Sequence, residues 1–388
     1  MLKISVLKKY QEDYKKLLMK EFNNIIHAYN YKETNIFIFK KYLSLNSLAG
    51  MDVWISNFYE KNFLLDIKNE IIKSKTDSDI FEIKRNIQFS IKNFFRDEDY
   101  RFSKLEQENL EKKDLLKNVN HLINESNKNL NTLNKFYIPI QYTNYYHKTT
   151  GSPSKLGLET KLIKIKLPKQ KKNQVHLAEE ELKNNWINGY NLYKTLTKKI
   201  NIISSPGLVS YSLFNEFGIS YINVMDRDLF ETVDDLIHEN SHHHLNIILK
   251  KYKLLKNIET NISFYSPWRR ELRSPYAIMH SVFTFTFGAL LFENILIKPS
   301  NFMKLHLERV IYRFLEETYM IKYSLEDLNS FNINFYQKGK MILEYLNSQN
   351  IRHLAKAEKL RKLIKSQTYK KRLSELEKNL KIARKTYS

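Results

Sequence analysis

Leu236-Ile237-His238-Glu239-Asn240-Ser241-His242-His243-His244-Leu245 is the stretch on which the reading of this chain turns. It contains the pattern His-Glu-x-x-His. On a helix, residues four apart project from one face, so His238 and His242 can close on one divalent metal ion. Imidazole nitrogen suits zinc, iron, copper or nickel, so the spacing specifies a metal without specifying which. The flanks predict the helix. Leu229, Phe230, Val233, Leu236, Ile237, Leu245, Ile248, Leu249 and Tyr252 recur at helical spacing, and Asp226 or Asp228 can serve as N-cap. The competing account, a chance cluster of histidines, does not explain that frame.

Immediately upstream, Gly218 to Val224 reads as a strand leading into the metal helix. In metallopeptidase-like folds such a strand lines the cleft and pairs with an extended peptide. Downstream, Phe264 to Pro275 carries two prolines, a tryptophan and three arginines, which predicts a structured loop. That loop opens a nearly all-apolar helix over about 276–296. Its length would suit a membrane span, but His280, Ser281, Thr284, Thr286, Glu293 and Asn294 favour a buried core helix.

Helix breakers divide the rest. All seven prolines lie between Pro139 and Pro299, and six of the eight glycines between Gly151 and Gly288, so the flanks are predicted helical. The expected organisation is a helical region over 1–135, a catalytic region over 136–345 and a basic C-terminal helix over 346–388. Within the middle region, 136–140 reads as a strand, 149–154 as a loop, 161–167 as an edge strand with one basic face, and 176–198 as a helix. The fold class expected is mainly α with a small β-sheet, the metal helix lying beside a short strand and a second buried helix.

At 388 residues the chain can bury a full core. It has no cysteine, which excludes disulfides, thiolate metal sites and cysteine nucleophiles. The N-terminus lacks the apolar core of a secretory signal, so a cytoplasmic location is expected. The net charge is +22, and residues 351–388 hold thirteen Lys and Arg against three Glu. A basic balance favours an anionic partner.

A working centre needs a third protein ligand and an open position. The extended metzincin pattern would put glycine at 245 and histidine at 248, but the chain has Leu245 and Ile248. A glutamate ligand of the gluzincin kind could come from Glu293, Glu316 or Glu317. His280, thirty-eight residues after His242, is the other candidate, in the apolar helix just past the arginine-rich loop.

The residues from about 208 to 292 resemble the HExxH-type α-ketoglutarate-dependent peptide β-hydroxylases, tailoring enzymes of ribosomally made peptides. The likeness rests on His238-Glu239-Asn240-Ser241-His242, on Ser266-Pro267-Trp268, and on Arg273 seven residues before His280. Ser274 and Ala277 depart from the proline and glycine of that pattern, and Met279-His280-Ser281 stands for its Leu-His-Gly. The resemblance implies Fe(II) held by His238, His242 and His280. It implies Arg273, with Arg269 in the same loop, as the site for the α-ketoglutarate carboxylate. Oxidative decarboxylation of the keto acid to succinate would drive hydroxylation at Cβ of a residue in a precursor peptide, with Glu239 as catalytic or supporting group. An acidic leader would suit so basic a protein. Neither nucleic acid nor a membrane span is expected. The alternative is a zinc metallopeptidase with Glu239 as general base on a zinc-bound water.

Overall fold

The computed structural model describes residues 4–29, 48–76, 78–83, 111–131, 145–148, 161–164, 169–203, 209–214, 217–225, 227–256, 263–330 and 334–387. The strand expected at 136–140, the loop at 149–154 and the candidate cap Asp226 lie outside them. The chain is mainly helical with small sheets, as its periodicity predicts.

Among the described residues the N-terminal part holds α1 (Ile4–Tyr29), α2 (Leu48–Lys73) and α3 (Lys112–Asn131), with a further helical stretch over 78–83. Leu7, Tyr10, Tyr14 and Leu18, at three-to-four spacing, bury one face of α1 in the main core. The C-terminal half of α2 buries Leu64, Ile67 and Ile71 against Leu115, Val119 and Leu122 of α3, forming a separate small cluster.

Strands β1 (Tyr145–Lys148) and β2 (Lys161–Lys164) precede α4 (Lys169–Asn185) and α5 (Ile187–Leu196). The single helix expected over 176–198 is thus two. The break falls at Trp186, whose backbone leaves helical geometry as the N-cap of α5. Gly189 permits it: a Cβ there would lie 2.2 Å from the Trp186 ring, so only glycine lets the indole fold against the new helix.

Strands β3 (Lys199–Ile203), β4 (Tyr211–Ser212) and β5 (Ile219–Asn223) complete, among the described residues, a five-stranded sheet in the order β2-β1-β3-β5-β4. β2 sits at one edge among the described strands, as expected for 161–167, of which 165–167 lie outside the described residues. β5 runs parallel to β3, with Lys199 opposite Ile219, and antiparallel to β4, with Tyr211 opposite Tyr221. Both hydrogen-bonding edges of β5 are therefore occupied, and the expectation that it receives an extended peptide is corrected. Among the described strands, the one beside the cleft with an unpaired edge is β4.

The helix that carries the His-Glu-x-x-His pattern, α6 (Leu229–Leu249), follows β5. Asp228 is its N-cap: the side chain accepts from the Glu231 N–H while the Glu231 side chain accepts from the Asp228 N–H, a reciprocal capping box. The expected loop after α6 is a hairpin, β6 (Phe264–Ser266) paired antiparallel with β7 (Glu271–Arg273). Pro267 fixes one turn residue, and Arg270 closes the turn at φ 58 with its N–H donating to the Ser266 carbonyl at 2.7 Å.

Helix α7 (Pro275–Ile297) is long and apolar enough to cross a membrane, but 72% of its most apolar window is buried inside the protein. It packs between α6 and α9 (Leu307–Ser330), which follows the short α8 (Asn301–Leu305). Phe292 of α7 stacks on Phe230 of α6 at 5.8 Å. Each such fully buried aromatic contributes about 2–3 kcal/mol.

The chain ends in α10 (Gln337–Arg361) and α11 (Gln367–Tyr387). The expected boundary at 345/346 falls inside α10, an unbroken helix. Leu346 and Ala357 of α10 and Leu373 of α11 belong to the main core. The basic tail is two helices docked on α9, with Arg384 paired to Glu326 and Asp327.

Candidate metal centre

The three consecutive histidines of α6 point three ways, because successive helical residues turn by about 100°. His242 faces the cleft. His243 is fully buried toward the sheet: its Nδ1 accepts the Gly218 N–H at 3.2 Å, which leaves Nε2–H to donate to the Ser220 hydroxyl at 3.0 Å. His244 is buried toward α7, edge-on to Phe283 and Phe287. Burial pushes the last two imidazoles down to about 3, so both are neutral. They fix α6 between sheet and core and thereby set the position of His242.

His238 Nε2 and His242 Nε2 lie 3.3 Å apart. Two nitrogens bound at about 2.1 Å to one ion with a near-tetrahedral angle would lie about 3.4 Å apart, so the pair is spaced as two ligands of a single ion. Burial lowers His238 to about 4, against the opposing charge of Asp234, and lowers His242 well below its ordinary value. The neutral imidazole that results is the form that ligates a metal. Glu239 is 2% exposed, and its carboxylate lies within 4.8 Å of both ligand nitrogens.

His280, on α7, approaches from the other side. Its Nε2 is 3.4 Å from His242 Nδ1, and its ring stacks against Tyr276. The three histidines are thus contiguous, with His242 between the other two. The described residues whose ligand atoms all fall within 4.8 Å of one another are His238, Glu239 and His242. His280 touches this group through His242.

The candidate glutamates stand elsewhere. Glu293 faces α10, where Arg352, His353 and Lys356 hold it. Glu316 lines the cleft, bound by Tyr312 and Arg313. Glu317 is buried, accepts the Trp268 indole N–H at 3.0 Å and pairs with Arg313 at 2.6 Å; burial pushes its carboxyl up to about 8. Arg313 also reaches Asp234 at 2.9 Å. This group was not anticipated, although Asp234 lies one turn before His238 and Arg313 and Glu317 are four apart on one helix.

The hairpin supplies the rest of the wall. Trp268 stacks on Phe285 at 4.4 Å, and Phe285 packs on the His238 ring at 4.6 Å. Arg269 and Arg273 both line the cleft. Among the described residues Arg273 pairs with one carboxylate, the exposed Glu271 at 3.4 Å, and it stands just before the N-terminus of α7, where an anion is favoured. The cleft holds about 780 Å³ and reaches from β4 across α6 to α7, α9 and α11.

Compared with known proteins, the chain matches no family model and no curated sequence.

Proposed function

We propose that this chain is an Fe(II)- and α-ketoglutarate-dependent hydroxylase acting on Cβ of a residue in a ribosomally made peptide. The observation that carries the reading is the joint placement of His238, His242 and His280 in one cleft with Arg273 and Arg269. Two neutral imidazoles at ligand spacing fit a divalent ion, and the third ring adjoins them. Arg273 would grip the distal carboxylate of α-ketoglutarate through its paired N–H groups, displacing the weak exposed pair with Glu271, while Arg269 adds positive charge. With the ion and the keto acid bound, dioxygen would be the oxidant: one of its oxygen atoms would pass to succinate as the keto acid loses carbon dioxide, and the other into the substrate C–H bond. Trp268 and Phe285 hold the His238 ring and keep that side of the site apolar. Glu239, buried beside the two histidines, would support the site by holding a water next to the ion. The substrate would be a precursor peptide with an acidic leader, and the reaction cytoplasmic, a reducing compartment that suits a chain without cysteine.

One observation favours a second reading, a zinc metallopeptidase: the Glu239 carboxylate stands within 4.8 Å of both histidine nitrogens, as a base acting on metal-bound water requires.

Anaerobic titration with Fe(II) and then α-ketoglutarate separates the two. The hydroxylase reading expects a charge-transfer band in the visible spectrum that is lost in His242→Ala and His280→Ala and weakened in Arg273→Ala. No band, together with tight zinc retention and peptide cleavage abolished by Glu239→Gln, would replace it with the peptidase.

A further inference from the structure

We infer that Arg372, on the C-terminal helix α11, is a specificity residue that receives an acidic side chain of the peptide substrate. The inference rests on the peptide-hydroxylase reading above and names the class of peptide that the site selects.

Six arginines line the cleft against five carboxylates. Most are already committed. Arg227 pairs with Glu231 and Asp235, Arg309 with Asp228 and Glu231, and Arg313 with Asp234, Glu316 and Glu317. Arg273 has Glu271. Two remain with no ion pair to any carboxylate among the described residues: Arg269 and Arg372. Arg269 projects from the hairpin close enough for its charge to act on His238 and His242, and it belongs with Arg273 to the co-substrate end. Arg372 comes from a different element, more than a hundred residues along the chain.

Its setting is built. Tyr369, one turn earlier on α11, stacks on Tyr312 of α9 at 4.8 Å and 17°. The Tyr312 hydroxyl donates to Glu316 at 2.6 Å, which fixes the ring pair. The guanidinium of Arg372 stands near enough to Tyr312 for its charge to be felt there. Arg372 is exposed at the cleft, and a guanidinium there with no carboxylate beside it among the described residues attracts an anion and can hold a carboxylate by two parallel N–H···O bonds. Leu373, the next residue, is buried in the main core, so α11 presents Arg372 from a fixed position.

The test is a fluorescence-anisotropy titration of the full-length protein at physiological salt, with neither iron nor α-ketoglutarate added. The probes are a short labelled peptide with Asp at alternate positions and the same peptide with Asn. Because no turnover is needed, the titration reads peptide choice whether or not hydroxylation occurs, and the iron spectrum reports separately on the chemistry. The wild-type protein is expected to prefer the Asp peptide about tenfold, as one charge-assisted pair allows. Arg372→Gln should erase that preference, and Arg372→Glu should carry it below that of Arg372→Gln. Lys378→Gln, which removes the same charge from an equally exposed position on the same helix that does not line the cleft, should retain it. Equal affinity of the wild-type protein for both peptides would overturn the assignment, as would an equal loss in Lys378→Gln, which would reduce the effect to net charge. A labelled thymidine oligomer bound more tightly and with the same dependence on Arg372 would overturn it in favour of a nucleic-acid strand.

Discussion

Replacing Glu293 by Gln tests how the core around the metal centre is held. Glu293 is 4% exposed on α7 and faces three donors on α10: Arg352 at 2.7 Å, Lys356 at 2.5 Å and His353 at 3.5 Å. Burial alone would raise its carboxyl; the hydrogen bonds from His353 and Lys356 and the charge of Arg352 override that and bring it down to about 2. A carboxyl held below its unfolded value of about 4.3 stabilises the fold above that pH, and the contribution is lost as pH falls toward 2. The shift corresponds to roughly 3 kcal/mol, and because the arginine and lysine are half exposed the net effect is about 2 kcal/mol. Glu293→Gln is therefore expected to lower the unfolding free energy at pH 7 by about that amount, read from urea denaturation followed by circular dichroism. The gap from the wild-type protein should shrink by about half between pH 5 and pH 3. Metal stoichiometry should not change, since Glu293 faces α10 and not the histidines. A gap independent of pH would refute the electrostatic account, and loss of bound metal would restore Glu293 as a ligand.

His243→Leu leaves the Gly218 N–H without its acceptor and the Ser220 hydroxyl without its donor, both buried, and should cost about 1–3 kcal/mol while equilibrium dialysis finds metal binding intact. Metal lost at unchanged stability would instead make His243 a ligand. Gly339→Ala should be destabilising by about 1–3 kcal/mol, because its Cβ would lie 2.3 Å from the Leu254 carbonyl oxygen that accepts the Tyr336 N–H; an unchanged urea midpoint would show that the loop and α10 do not meet so closely.

What the sequence determined by itself was local. His238 and His242 are four apart, so any helix through them places both rings on one face. Asp226 and Asp228 stand just before the apolar run, so a capped helix start was legible to within two residues, and the structure selects Asp228. The apolar run of α7, interrupted by small polar groups, identified a core helix without reference to any neighbour. Tertiary structure decided the rest. His242, His243 and His244 are chemically identical in the sequence; one becomes a candidate ligand, one a sheet anchor and one a core residue, because each meets a different packed surface. Whether β5 was an edge or an interior strand depended on where β4 folded back, and 176–198 broke into two helices because the Trp186 ring had room over Gly189. Arg313 reached Asp234, and Arg372 reached the cleft, across intervals that no periodicity spans. Hydrogen-bonded periodicity acts over one helical turn and can be read along the chain. The pairing of buried charges and the partition of rings between core and cleft depend on which surfaces exclude water, and that is fixed only when the helices and the sheet pack together.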